Sequence, residues 1–498
     1  MKIRRIYNRL RDPGETLSER VIHGGFWVFS LRIVDRLLML VRTIILARLL
    51  APNDFGLFGI AMLALATLES FTQTGFDAAL IQKKEDTTSY LDSAWAIQII
   101  RGMIIAIIMF AGAPLVGIFF DEPRAVMLTR VLAVSVLIFD FRNIGIVYFQ
   151  KNLEFHKQFV YQFGGTIADL AIAIPAALII RSVWALIFGL LARNFIYFTL
   201  SYIIHPYRPR FRLDPGKSKE LFDFGKWIFG SSVLVFVSTQ GDYIFLGKIL
   251  GATALGFYQI AYKISNLPAT EITHVISQVS FPAYSKIQEE IKALSRAFNK
   301  IFLITISISL PISVVIFLFA PGFVKYILGT KWLPIIGPVR ILAMYGLIRS
   351  ITAMWAPLYR ATGVPKFGPY SQVFRVTGMF LPIYWLTINF GIEGVCISVI
   401  IGQVSVLIFH LYYTYKISNL AINFLEILRS MISVFCSVMA MILVYFAFNY
   451  MVKTLFHYVV FVVFTFFVYI TSMVVFDRFF KNKALEEIKG IVYKSIHK

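Results

Sequence analysis

Cysteine is nearly missing from this sequence. Cys396 and Cys436 are the two present in 498 residues, each inside an apolar run, which excludes a disulfide framework and a thiolate metal site. Acidic charge is also scarce: 27 Asp and Glu stand against 48 Lys and Arg, a net charge of +21. In a soluble chain that imbalance would point to nucleic acid. Here most basic residues flank apolar runs, so the expected partners are membrane lipids and an anionic substrate, and nucleic acid is not expected. Long polar stretches are lacking too. The longest expected loops run from about Ala320 to Lys331 on one side, and over His205 to Leu221 and Tyr284 to Phe298 on the other, too short for a catalytic domain. A cleavable signal is not expected, because Met1 to Arg20 is polar and the first apolar run is too long and too charged. Ile3, Ile6, Tyr7 and Leu10 fall at helical spacing and predict a short segment lying on the inner membrane surface.

What the chain has in excess is apolar surface. Fifty-eight per cent of its residues are hydrophobic and the mean hydropathy is +0.74, against roughly 45 to 50% apolar usage in soluble domains. Apolar runs long enough for ~30 Å of hydrocarbon predict an all-α membrane protein of about 14 transmembrane helices, in two six-helix pseudo-symmetric lobes plus two C-terminal helices. The expected divisions are an amphipathic cytoplasmic segment at 1–20, an N-terminal lobe at 21–204 and a linker at 205–221. A C-terminal lobe follows at 222–415, then two additional helices at 416–477 and a basic tail at 478–498. With that count, 28 Lys and Arg fall in segments on the side of the N-terminus and 5 on the other. The asymmetry predicts both termini in the cytoplasm.

The first span is apolar yet carries Arg32, Asp35, Arg36 and Arg42, which share one arc of about 120 degrees on a helix. Charge inside a membrane is costly and must face protein or water. Arginine offers paired donors that match phosphate oxygens, so Arg32, Arg36 and Arg42 are candidate headgroup contacts with Asp35 as orienting partner; the bland alternative is structural pairing. Arg48 falls on the opposite side as an anchor. Arg142, Arg340 and Arg349 are further candidate contacts, while Arg101, Arg193 and Arg375 are also buried by position. Asp140 and Arg142, two apart, are expected to point apart on a helix, so that each needs another partner. Tyr258, Tyr262 and Trp355 are candidates for stacking on sugar faces, though packing is the plainer reading.

An internal repeat lies at an offset of 200 residues: Trp27 with Trp227, Leu46 with Leu246, Leu50 with Leu250, Gly56 with Gly256 and Ile60 with Ile260. Arg32, Asp35 and Arg36 meet Ser232, Val235 and Phe236, so the charge is confined to the first copy, whereas Arg42 meets Asp242. Equal depth suggests that Arg42 and Asp242 pair as an outer gate. Asp35, Glu69, Asp169, Asp242, Glu271 and His274 are candidates for gating or ion coupling. Glu271 and His274 share a face at a spacing of three. No cofactor or metal is expected, and the coupling ion would be a proton or sodium.

The phrase LARLLAPNDFGLFGIA, followed by FTQTGFDAALIQKKE and PLVGIFFDEP, resembles the oligosaccharide flippases of the Wzx kind, within the multidrug/oligosaccharidyl-lipid/polysaccharide exporter superfamily. The resemblance implies a two-lobed transporter of the bacterial cytoplasmic membrane. It would move polyprenyl-pyrophosphate-linked oligosaccharide units to the outer leaflet by alternating access, for O-antigen, capsule or exopolysaccharide synthesis. It would be no enzyme, and a polysaccharide polymerase and a chain-length regulator would be its partners. The alternatives are a lipid II flippase or multidrug exporter of the same superfamily and, with less support, a membrane glycosyltransferase, a glycan polymerase or a scaffold.

Overall fold

Lipid offers backbone groups no partners, so wherever a membrane helix stops or bends, the freed carbonyls have to be met inside the protein. The computed structural model describes residues 17–72, 88–152, 154–266, 269–270, 280–416 and 424–480, without the side chains of 17–32, 88–89, 217–232 and 424–430. The described residues divide between two compact units, Met1–Gly256 and Phe257–Lys498.

In the first unit, α1 (Leu17–Leu49) and α2 (Pro52–Phe71) are joined by a two-residue turn. Pro52 suits the first helical position because it has no N–H to satisfy. One Asp54 oxygen accepts the Ala51 N–H at 2.9 Å and the other the Val183 N–H at 3.1 Å. A single carboxylate thus caps α2 and ties it to the chain entering α7. Next come α3 (Thr88–Phe120) and α4 (Arg124–Asp140), which stops early; after a 3-10 turn at Ile144–Ile146, α5 (Val147–Lys151) leaves at 67°. Each carbonyl freed there has a donor: Gln98 Nε2 meets Asp140 O at 2.6 Å, Tyr202 Oη meets Phe141 O at 3.0 Å, and Trp95 Nε1 meets Arg142 O at 3.1 Å. The hairpin of α6 (Phe155–Ile180) and α7 (Trp184–Ile204) closes the bundle.

The segment after α7, expected as a plain linker, is strapped to the first unit. Asn143 Nδ2 donates to Tyr207 O at 2.6 Å, Tyr207 Oη donates to Asp92, and the Arg210 N–H reaches Asp92 Oδ1 at 2.8 Å. The following helix, α8 (Pro215–Ser265), breaks at Gly251, where φ is 79°. Its middle packs on the first unit: the Phe236 ring lies 6.2 Å from Phe71, and the Lys248 ammonium 5.4 Å from Phe119.

The offset of 200 residues reappears here as a contact. A Cβ on Gly56 would run into the Ala252 carbonyl, and one on Gly256 into the Pro52 carbonyl. Residues 52 and 252 are themselves equivalent in the repeat, so the two turns meet as two-fold partners, with backbone against backbone where only glycine fits.

The second unit contains α9 (Ile291–Gly322), a π turn at Phe323–Leu328, a 3-10 turn at Thr330–Ile335, α10 (Ile336–Thr352) and α11 (Trp355–Ala361). Then come α12 (Phe367–Lys416), broken at Gly391, α13 (Phe424–Phe448) and α14 (Leu455–Phe479). Pro311 lacks the N–H that would meet Ser307 O, and Tyr469 Oη supplies the donor at 2.7 Å. Pro321 frees Phe317 O in the same way, and Arg340 Nε takes it at 3.2 Å.

Ten helices among the described residues are long and apolar enough to cross a membrane, eleven with the bent α4–α5 pair. This is an all-α, multi-pass membrane protein. Parts of the expected fourteen spans, such as 73–80 and 271–279, lie outside the described residues.

Candidate functional site

The stripe on α1 divides. Positions 35, 39 and 42 lie on one helical face and turn toward α6 and α7. Asp35 Oδ1 accepts from Thr166 Oγ1 at 2.6 Å, and the Met39 sulfur lies 3.2 Å from Arg193 Nη2. Arg42 grips Asp169 Oδ1 with Nη2 at 2.9 Å and Nε at 3.0 Å. Arg193 Nη2 holds the other oxygen of Asp169 at 2.8 Å, and the carboxylate is 3% exposed. One buried acid therefore binds two arginines from two helices. Removing a carboxylate that serves two cations would strand both, so the triad works as a cross-link of α1, α6 and α7. The gate expected between Arg42 and Asp242 is corrected accordingly: the Arg42 guanidinium is committed to Asp169, while Asp242 is buried on α8. Arg36 is exposed. Arg32 stands one turn earlier on α1 with its side chain outside the described residues, where Glu271 and His274 also lie entirely.

Asp140 and Arg142 do pair, at 3.5 Å, contrary to the expectation from a continuous helix. The helix stops at Asp140, and the changed backbone direction brings the Arg142 side chain back over its own turn, 3.9 Å above the Phe139 ring. Asn143, fully buried, fixes the break by accepting the Gly145 N–H at 2.9 Å and presenting its own N–H to Ser201 Oγ at 2.9 Å. On α2, Glu69 is exposed, and the nearby Thr72 Oγ1 accepts from Arg101 Nε at 3.2 Å.

In the second unit, two arginines flank a pair of tyrosines. Arg349 Nη1 donates to Tyr262 Oη at 3.0 Å, the Tyr262 and Tyr345 hydroxyls are 3.1 Å apart, and Arg375 Nη2 donates to Tyr345 Oη at 2.7 Å. Arg375 is 6% exposed. The four side chains thus form one continuous hydrogen-bonded chain, in which neutral hydroxyls fix the direction of each guanidinium. Arg340, bound to Phe317 O and stacked over the Phe317 ring at 5.5 Å, has the posture of a backbone cap. Trp355 is corrected as a sugar platform: it is fully buried, stacked on His410 at 5.0 Å and hydrogen-bonded to Thr414 Oγ1 at 2.8 Å. Tyr258 is fully buried as well.

Outside the spans, the strap has perturbed groups. Burial pushes the Tyr207 hydroxyl up, followed by its hydrogen bond to Asp92 and that carboxylate's charge. Burial lowers His205 from 6.5, with the Lys157 ammonium adding to the shift, so the imidazole is neutral at pH 7.

Thr166, Arg193, Tyr345 and Arg375 were not among the site residues expected from the sequence. Thr166 and Asp169 stand three apart on one face of an apolar helix, which is a legible signal; that this face meets α1 is not.

The profile of the polysaccharide biosynthesis protein family matches residues 45–337. The chain belongs to that family. It is 24% identical to the lipopolysaccharide biosynthesis protein WzxC of Escherichia coli over 380 residues, covering 74% of this chain and 75% of that protein. It is 22% identical to the teichuronic acid biosynthesis protein TuaB of Bacillus subtilis, over 68% of this chain and 70% of that one. The fold is similar to that of the lipid II flippase MurJ, solved in an inward closed conformation, with TM-score 0.73, 14% identity, and coverage of 91% of this chain and 99% of that one. A family member thus has a fold shared with a flippase, and the Wzx-type resemblance of its sequence stands.

Proposed function

We propose that this family member is a flippase that moves polyprenyl-pyrophosphate-linked oligosaccharide units across the bacterial cytoplasmic membrane by alternating access. The observation that carries the reading is the family match over residues 45–337, joined to relatives covered over about three quarters of their length whose names place them in lipopolysaccharide and related polysaccharide synthesis. The lipid-linked substrate is anionic, which accords with an excess of basic over acidic residues within the spans. No covalent chemistry is needed, and the protein is read as a transporter and not an enzyme. Both termini are placed in the cytoplasm on the charge asymmetry of the loops, and a polymerase and chain-length regulator would take the product on the far side.

Arg36 and, one turn away, Arg32 are the proposed pyrophosphate contacts, with the Arg349–Tyr262–Tyr345–Arg375 chain as a second basic element. Arg42 is reassigned to the structural triad. The glycine-lined meeting of the Pro52–Gly56 and Ala252–Gly256 turns is the proposed outer closure, replacing the Arg42–Asp242 pair. Glu69 and Asp242 remain the proposed coupling carboxylates, with Glu271 and His274, for a proton or sodium ion.

The test is flipping of a fluorescent polyprenyl-pyrophosphate oligosaccharide in proteoliposomes, with fluorescent lipid II in parallel vesicles. Wild type should flip the first well above protein-free vesicles and above lipid II, and Arg32→Ala and Arg36→Ala should each slow it about tenfold, the loss of one charge-assisted contact. Equal rates with and without protein would overturn the function; faster flipping of lipid II would transfer it to the alternative substrate.

A further inference from the structure

The break after α4 leaves a cavity of about 120 Å³ near the strap end of the first unit. Its polar wall is Arg142 from the break, Gln150 from α5, and Gln158, Tyr161 and Gln162 from α6, with Val147 beneath. Positions 158, 161 and 162 share one helical face, so α6 presents two amides and a phenol together. The Tyr161 ring is held by stacking on Tyr197 at 4.8 Å. The Arg142 charge is largely met by Asp140 at 3.5 Å and the Phe139 ring.

Within this wall Gln158 Oε1 is buried and finds no hydrogen-bond partner among the described residues. A buried acceptor without a donor is unfavourable, and in a polar cavity it marks where a ligand donor belongs. Among the surrounding groups the guanidinium edge only donates, while the Gln150 and Gln162 amides and the Tyr161 hydroxyl can each donate or accept. A ligand has to donate to Gln158 and accept from the guanidinium at close quarters. Phosphate oxygens only accept, and a polyprenyl tail does neither. Vicinal hydroxyls do both, and they keep doing both if the amide is turned over.

We propose that this cavity is a glycan subsite, which takes the hydroxyls of one neutral sugar residue of the transported substrate, apart from the Arg32 and Arg36 contacts to the pyrophosphate. The inference rests on the flippase reading above and assigns recognition of the glycan to the α4 break. The volume admits part of a single pyranose ring, so the subsite reads one residue of the glycan and not its length.

The test compares two probes in proteoliposomes: the lipid-linked oligosaccharide extracted from the organism that encodes the chain, and the same polyprenyl pyrophosphate with its glycan removed. Wild type should flip the glycan-bearing lipid faster. In Gln158→Leu/Gln162→Leu, and in the near-isosteric Gln158→Met, the ratio of the two rates should fall toward one, about tenfold for the double variant, as expected for one or two lost neutral hydrogen bonds. An unchanged ratio in both variants, whether the two rates hold steady or fall together, would make the cavity structural and overturn the subsite while leaving the flippase intact. Failure of wild type to flip either lipid would overturn the flippase reading and the subsite with it.

Discussion

The two units hold the arginines of their helices by different means. In the first, Arg42 and Arg193 share the carboxylate of Asp169 and Arg142 leans on Asp140. In the second, Arg349 and Arg375 donate to tyrosine hydroxyls, and Arg340 to a backbone carbonyl. The first arrangement uses the charge to fasten helices together. The second holds each guanidinium on a hydroxyl or a carbonyl, contacts that fix its direction. A basic residue inside a span is therefore not evidence of substrate contact until its partner is known, and Arg42, with an acid between it and Arg193, is the clearest case.

The largest effect is expected from Asp169→Ala. Two guanidinium groups would lose one buried carboxylate, a loss of about 3 to 5 kcal/mol, read as a collapse of the monodisperse peak and of the thermal midpoint in detergent. The triple change Asp169→Leu, Arg42→Met and Arg193→Met should recover most of that stability, since an apolar replacement removes the stranded charge. Next in size is the repeat contact, where Gly256→Ala would force the two turns apart against the Pro52 carbonyl, at about 1 to 3 kcal/mol. Transport should fall further than thermal stability does if those turns close the outer side. In the second unit, Tyr345→Phe removes one hydroxyl partner of Arg375 and should cost about 1 to 2 kcal/mol, visible as a small shift of the midpoint without loss of the folded peak.

The smallest effect concerns the strap. His205 has its pKa lowered from 6.5, chiefly by burial and then by Lys157, with Glu154 opposing and Arg208 adding. A lowered histidine contributes stability that is present above the unfolded value and lost as pH falls below about 6.5 toward the folded one. The protection factors of the amides over 205–214, taken relative to the intrinsic exchange rate at each pH, should fall between pH 7.5 and 5.5 in wild type and change less in His205→Gln.

Much of the architecture was legible in the sequence because it rests on composition and period. Apolar runs gave helices, and the offset of 200 residues brought Gly56 and Gly256 to equivalent turns that do meet. A proline inside a helix marks in the sequence which carbonyl needs an outside donor, Phe317 O in the case of Pro321. That the donor is Arg340 depends on tertiary packing, which no local pattern carries. The same holds for the α4 break, whose carbonyls are met by Gln98, Trp95 and Tyr202 from distant positions. A helical wheel assumes an unbroken helix, and Asp140 and Arg142 escaped it for that reason. On α1 the wheel placed Asp35 and Arg42 together correctly but could not say that α6 offers Thr166 and Asp169 to that face.

Carboxylate-bound Arg42 and Arg193 fasten the first unit, whereas Arg36 and Arg349 are the arginines proposed to meet the anionic substrate. The most direct measurement is the flipping rate of lipid-linked oligosaccharide in proteoliposomes, taken beside the thermal midpoint of each variant. Arg36→Ala and Arg349→Gln should lose about tenfold in rate with the midpoint nearly unchanged, whereas the Asp169, Arg42 and Arg193 triple replacement should keep most of the rate. Normal flipping in Arg36→Ala and Arg349→Gln, with loss confined to the apolar triple variant at full stability, would contradict the account.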